Sequence, residues 1–180
     1  MTWIVLALSC ALLVGAGDIL SKLALRKSHE QVVGFARLLY SLPVLGIVAA
    51  RHGIPTPPFS FWLVLFAALP FELFAYLLYL RAIRIAPLSL TIPFLALTPV
   101  FTIVTSWAIL GEKVSPGGSL GIFAITIGIY LIHLDAVKEG WFAPFRALFR
   151  ERGTRLILIA ALLYSVTSNL GNGRFNSPIR

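Results

Sequence analysis

Acidic residues, cysteine and long polar stretches are what this sequence has least of. Its 180 residues include 7 Asp and Glu against 15 Lys and Arg, and charged residues make up only 12% of the chain, about half the share usual in a soluble domain. A conventional water-facing surface is thereby excluded. The single cysteine, Cys10, sits inside an apolar segment, so there is no disulfide framework and no cysteine pair with metal-ligand spacing. His29, His52 and His133 are scattered over loops and helix ends, and no phosphate-binding glycine loop follows a strand. Without a Ser-His-Asp order in a supporting context either, no enzyme, cofactor or metal site is expected. The net charge of +8 does not signal a nucleic-acid partner, because the basic residues fall mainly between apolar runs, where membrane proteins carry their orientation signals.

What is present is apolar. Hydrophobic residues are 58% of the chain and the mean hydropathy is +0.91, the composition of a polytopic membrane protein. Ile85 to Gly111 and Val114 to Leu134 contain no charged residue, and each exceeds the ~20 apolar residues that a helix needs to cross a bilayer. The short polar turn Gly111-Glu112-Lys113 joins them, making the two helices neighbours. Further spans are expected at Trp3–Leu25, Val32–Ala50, Phe59–Ile83 and Leu156–Asn172, with Pro55, Pro57 and Pro58 marking the loop before the third. The fold class expected is therefore all-α, a membrane helix bundle of about six transmembrane helices. The first segment lacks a basic leader and a small-residue cleavage site and continues into Asp18 and Lys22, so it is read as a retained helix. Between the fifth and sixth spans, Trp141, Phe142, Phe145, Leu148 and Phe149 recur at offsets of 0, 1, 4, 7 and 8. This segment is either an interfacial amphipathic helix against anionic lipid or a basic linker with aromatic anchors.

Charges inside the spans are the first candidates for function, since each costs roughly 2.5 to 3.5 kcal/mol at a helix centre unless it pairs or lines a cavity. Asp18 and Lys22 share a face of the first helix, Arg37 lies early in the second, and Glu72 follows Pro70 in the third. Together they outline a polar pocket for a charged or zwitterionic metabolite, with Glu72 or Asp18 exchanging a proton. The plainer reading pairs Asp18 with Lys22 and Glu72 with Arg37 or Arg81, or lets Lys22 and Arg37 snorkel. Tyr76 and Tyr79 follow Glu72 at four and seven residues, either as substrate contacts or as interfacial anchors. Thr91, Thr98, Thr102 and Thr105 form a polar stripe on the fourth helix, which either meets substrate or bonds its own helix. Pro93 and Pro99 remove the backbone donors to Ser89 and Leu95, giving a bend or exposed carbonyls. Gly117, Gly121, Ala124 and Gly128 make a smooth helix-packing face on the fifth helix.

Ala86-Pro87-Leu88-Ser89, Pro99, Ile109-Leu110-Gly111-Glu112 and the glycine-spaced helix that follows resemble the EamA-type transporters of the drug/metabolite transporter superfamily. That resemblance implies ten helices in two inverted repeats of five, with the Gly-Glu turn between the fourth and fifth. It implies a secondary transporter of small metabolites or drug-like molecules in the cell's inner membrane, working by alternating access. A weak internal match at an offset of 150 residues aligns Ala11-Leu12-Leu13 with Ala161-Leu162-Leu163, as though the sixth helix restarted the first. The expected organisation is a five-helix repeat over 2–135, a basic linker over 136–155, a sixth helix over 156–172 and a polar tail over 173–180. On this reading the chain is one repeat plus the first helix of a second. The alternative is a truncated, non-transporting fragment or an assembly partner. The glycine face would meet the counterpart helix of a second repeat, a second copy of the chain, or lipid. Most Lys and Arg lie on the side carrying the loops after helices one, three and five, which the positive-inside rule makes cytoplasmic; the family's usual orientation is the reverse.

Overall fold

The computed structural model describes residues 2–53, 57–111, 116–132 and 151–175. These form α1 (Thr2–Ala24), α2 (Glu30–His52), α3 (Phe59–Ile85), α4 (Leu88–Leu95), α5 (Thr98–Leu110), α6 (Pro116–Ile132) and α7 (Arg152–Phe175). Among the described residues there is no strand. Five stretches of the described residues, 3–24, 30–51, 59–85, 91–108 and 152–171, are long and apolar enough to cross a membrane. The chain is a multi-pass membrane protein, and its outer surface agrees: Leu12 is 75% exposed and Phe123 68%, a cost in water that vanishes against lipid tails.

The core lies between α3, α4, α5 and α7. Ala75, Leu80, Ala82 and Ile83 of α3, Phe94 of α4 and Ile157 and Ala160 of α7 belong to one buried cluster, and α7 packs most extensively on α3, then on α5 and α4. Small side chains permit this close approach, which in lipid must come from packing and interhelical hydrogen bonds. Gly153 is the tightest point. A Cβ there would collide with the Ala86 Cβ and stand 3.3 Å from the Ala82 carbonyl oxygen, so the first turn of α7 is wedged against the joint between α3 and α4. That contact explains why α7 starts at Arg152 rather than at the expected Leu156: Gly153 and Thr154 are buried despite their low hydropathy.

The expected fourth span is divided into α4 and α5. Ala96 and Leu97 keep helical dihedrals but bond the carbonyls three residues back, Pro93 and Phe94, a single tightened turn. Pro99 is the cause, since it cannot donate to Leu95. The Leu95 carbonyl instead accepts the Thr98 hydroxyl at 2.7 Å. One of the two carbonyls freed by proline is thus satisfied internally. α5 then ends on Gly111, whose φ of 69° is left-handed, a conformation that glycine adopts without a Cβ penalty. Glu112, Lys113 and the aromatic segment around Trp141 to Phe149 lie outside the described residues.

Candidate functional site

Asp18 does not pair with Lys22. Its carboxylate accepts Arg37 Nη1 at 3.1 Å, and the same nitrogen donates to Ser21 Oγ at 3.3 Å. The Asp18 side chain is 8% exposed and that of Arg37 33%. Tyr79, itself buried, is in interaction range of both, and Tyr76 of α3 lies within electrostatic reach of the guanidinium. α1, α2 and α3 therefore share one polar node. Gly34 makes room for it, because a Cβ there would come within 3.1 Å of the Tyr76 ring and 2.9 Å of Leu80 Cδ1.

Lys22 serves another purpose. Its ammonium donates to the carbonyl of Ala86 at 2.7 Å, to that of Arg84 at 3.2 Å and, closer still, to that of Ile83. An ammonium has three protons, and the last carbonyls of a helix lack intrahelical donors, so the side chain caps α3 and is fully occupied. Beside it Arg84 Nη1 donates to Glu30 at 2.8 Å. This pair places an acid at the start of α2 and a base at the end of α3, both favourable to the helix dipoles.

Glu72 bonds neither Arg37 nor Arg81. It stands at the midpoint of α3 and accepts the Thr167 hydroxyl of α7 at 2.8 Å. Around it Leu65, Leu69, Tyr164, Thr167 and Ser168 line an open groove of about 410 Å³. Tyr164 is within electrostatic reach of Glu72, Tyr76 and Arg37, which links the groove to the Asp18–Arg37 node. Polar side chains of α1, α2, α3 and α7 thus lie within electrostatic reach of one another.

The threonine stripe turns mostly inward to its own helices. Thr91 bonds the Pro87 carbonyl at 3.0 Å, Thr102 that of Thr98 at 2.8 Å and Thr105 that of Phe101 at 2.8 Å. Thr91 is fully buried. Where the stripe meets α7, Asn169 Nδ2 donates to the Thr102 carbonyl at 3.0 Å and to Thr105 Oγ1 at 2.6 Å, and Ser165 stands 3.4 Å from the same hydroxyl. This is an interhelical seam rather than a wall of the groove.

The model of the EamA-like transporter family matches residues 1–134. This chain belongs to that family. No curated protein and no solved structure matches it. The EamA family is a transporter family, and its match contains Asp18, Arg37, Glu72, Tyr76 and the threonines but ends before α7. Tyr164, Ser165, Thr167 and Asn169 were not legible as site residues, although four polar side chains within six residues of an apolar run were a visible signal. Glu30 escaped because it looked like a loop residue. On the EamA helix α6, a Cβ at Gly117, Gly121 or Gly128 would meet nothing within 4 Å, and Ala124 is exposed. Among the described residues nothing covers the smooth face.

Proposed function

We propose that this EamA-family chain carries a small charged or zwitterionic metabolite or drug-like molecule across the cell's inner membrane as a secondary transporter. The observation that carries the reading is the Glu72 groove. A carboxylate at the midpoint of a spanning helix, on an exposed face, is tolerated where that face lines water or a ligand path. Glu72 has only a hydroxyl partner described, so it is the group available to a cationic ligand or a proton. The Asp18–Arg37 pair with Tyr76 offers both signs of charge within electrostatic reach of the groove residue Tyr164, suited to a zwitterion. Thr91, Thr98 and Thr102 act as structural neighbours that set the α4–α5 geometry, and Lys22 holds the α3 terminus. Alternating access between inverted repeats would open the groove to either side.

A second reading, that the chain transports only with a partner, is supported by the face of Gly117, Gly121, Ala124 and Gly128, which no described residue covers. The partner would be a second copy or a second repeat. Thermal stabilisation of the detergent-purified chain, screened against amino acids, nucleosides and drug-like cations, tests the site. The expected result is stabilisation by one class, abolished in Glu72→Gln and weakened in Tyr76→Phe. Stabilisation that survives Glu72→Gln unchanged would remove the groove from the proposal.

A further inference from the structure

A second groove opens at the end of the bundle where α3 finishes and α7 begins. It measures about 770 Å³ and is lined by Arg81, Ile85, Glu151, Arg152, Arg155 and Ile159, among others. Three arginines and one glutamate thus line it. Among the described residues none of the three forms an ion pair, whereas Arg84 and Arg37 each do. Glu30, which also feels Arg81, is already bonded to Arg84. Among the described residues the lining therefore carries three arginines against one carboxylate, an excess of positive charge at this end of the bundle. A guanidinium matches the oxygens of a phosphate with two parallel hydrogen bonds, so a recess lined by three arginines suits one.

The rest of the lining decides what kind of phosphate. Arg152, Arg155, Leu156 and Ile159 lie at helical spacing on one face of α7, so that face changes from basic at the rim to apolar one to two turns deeper. Ile85 and Ile159 are 50% and 46% exposed. A soluble phosphate has no use for that wall, while an acyl chain does. The start of α7 adds its positive helix end to the rim, and the groove floor is the Gly153–Ala86 contact that locks α7 to the α3–α4 joint. We propose that this recess binds the headgroup of an anionic phospholipid, with one acyl chain along Leu156 and Ile159, and that the bound lipid fastens α7 to α3.

The inference is independent of any transport activity. The chain purified in neutral detergent and stripped of lipid is titrated with phosphatidylglycerol, phosphatidylcholine and potassium phosphate while thermal unfolding is followed. Phosphatidylglycerol should raise Tm in a saturable manner, and the other two should leave it nearly unchanged. In Arg81→Gln/Arg152→Gln/Arg155→Gln, all at exposed positions, the apparent affinity should fall on the order of 100-fold, about fivefold for each arginine. Arg26→Gln/Lys27→Gln, on the same side but outside the groove, should retain it. If the triple variant melts early without lipid, the triple Arg→Lys replacement supplies the comparison and should keep measurable binding. Equal loss in the control variant would reduce the effect to general surface charge and overturn the site. Equal stabilisation by inorganic phosphate would overturn the lipid assignment, and no stabilisation by phosphatidylglycerol would overturn both.

Discussion

At the scale of single residues, the Asp18–Arg37 pair is the sharpest feature because its two members differ in burial. Removing the guanidinium leaves a carboxylate whose side chain is 8% exposed without its partner, whereas removing the carboxylate leaves an arginine that is 33% exposed and still beside Ser21. The first loss should therefore cost more than the second. A double-mutant cycle of Asp18→Asn and Arg37→Gln, read by thermal unfolding in detergent, should show Arg37→Gln as the more destabilising single change. The double variant should lose less than the sum, by a coupling of about 0.5 to 3 kcal/mol, in the lower part of that range because Arg37 is partly solvated. Strict additivity would mean that the contact does not contribute. The charged residues themselves were legible from sequence, since any charge in an apolar run stands out. Their partners were not. Lys22, four residues from Asp18, is its natural neighbour on an isolated helix, but the carbonyls at the end of α3 offer three acceptors, and only the packing of α1 beside α3 brings them within reach.

At the scale of elements, hydropathy and punctuation placed the helices well. The proline cluster before α3 and Gly111 after α5 end helices for reasons internal to the chain, so both were visible. The start of α7 was not, because Gly153 and Thr154 are kept in place by α3 and α4 rather than by their own preference. The α4–α5 joint lies between these cases: Pro99 announced a disturbance, and the Thr98 hydroxyl decided its form. That division of labour predicts a non-additive result. Thr98→Val strips the hydroxyl donor from the Leu95 carbonyl and should cost about 1 to 3 kcal/mol, the usual loss for a stranded polar group. In a Pro99→Ala background the residue at 99 regains an N–H that can bond the same carbonyl, so Thr98→Val should cost distinctly less. Chemical denaturation of the four proteins in detergent measures this, and equal costs in the two backgrounds would show that the hydroxyl does not replace the missing amide bond.

At the scale of the whole molecule, the bundle has one basic end. Lys22 reaches the last carbonyls of α3, Arg84 bonds Glu30 at the start of α2, and Gly153 seats the start of α7 on Ala86. The ends of α1, α2, α3 and α7 are thus brought to one side, together with Arg26, Lys27, Arg81, Arg152 and Arg155. The positive-inside rule then expects this end in the cytoplasm and Arg51 with the start of α3 outside, opposite to the usual family arrangement. The lone Cys10 makes the test clean. In a Cys10→Ser background, a membrane-impermeant maleimide applied to intact cells should label Pro58→Cys and spare His29→Cys, and permeabilisation should make both reactive. The reverse pattern would show that the fold overrides the charge count, and equal labelling of both in intact cells would show insertion in two orientations. The result also bears on the arginine groove, because anionic lipid and its attractive surface potential are strongest on the cytoplasmic leaflet. A cytoplasmic His29 would put the three guanidiniums where such headgroups are most abundant.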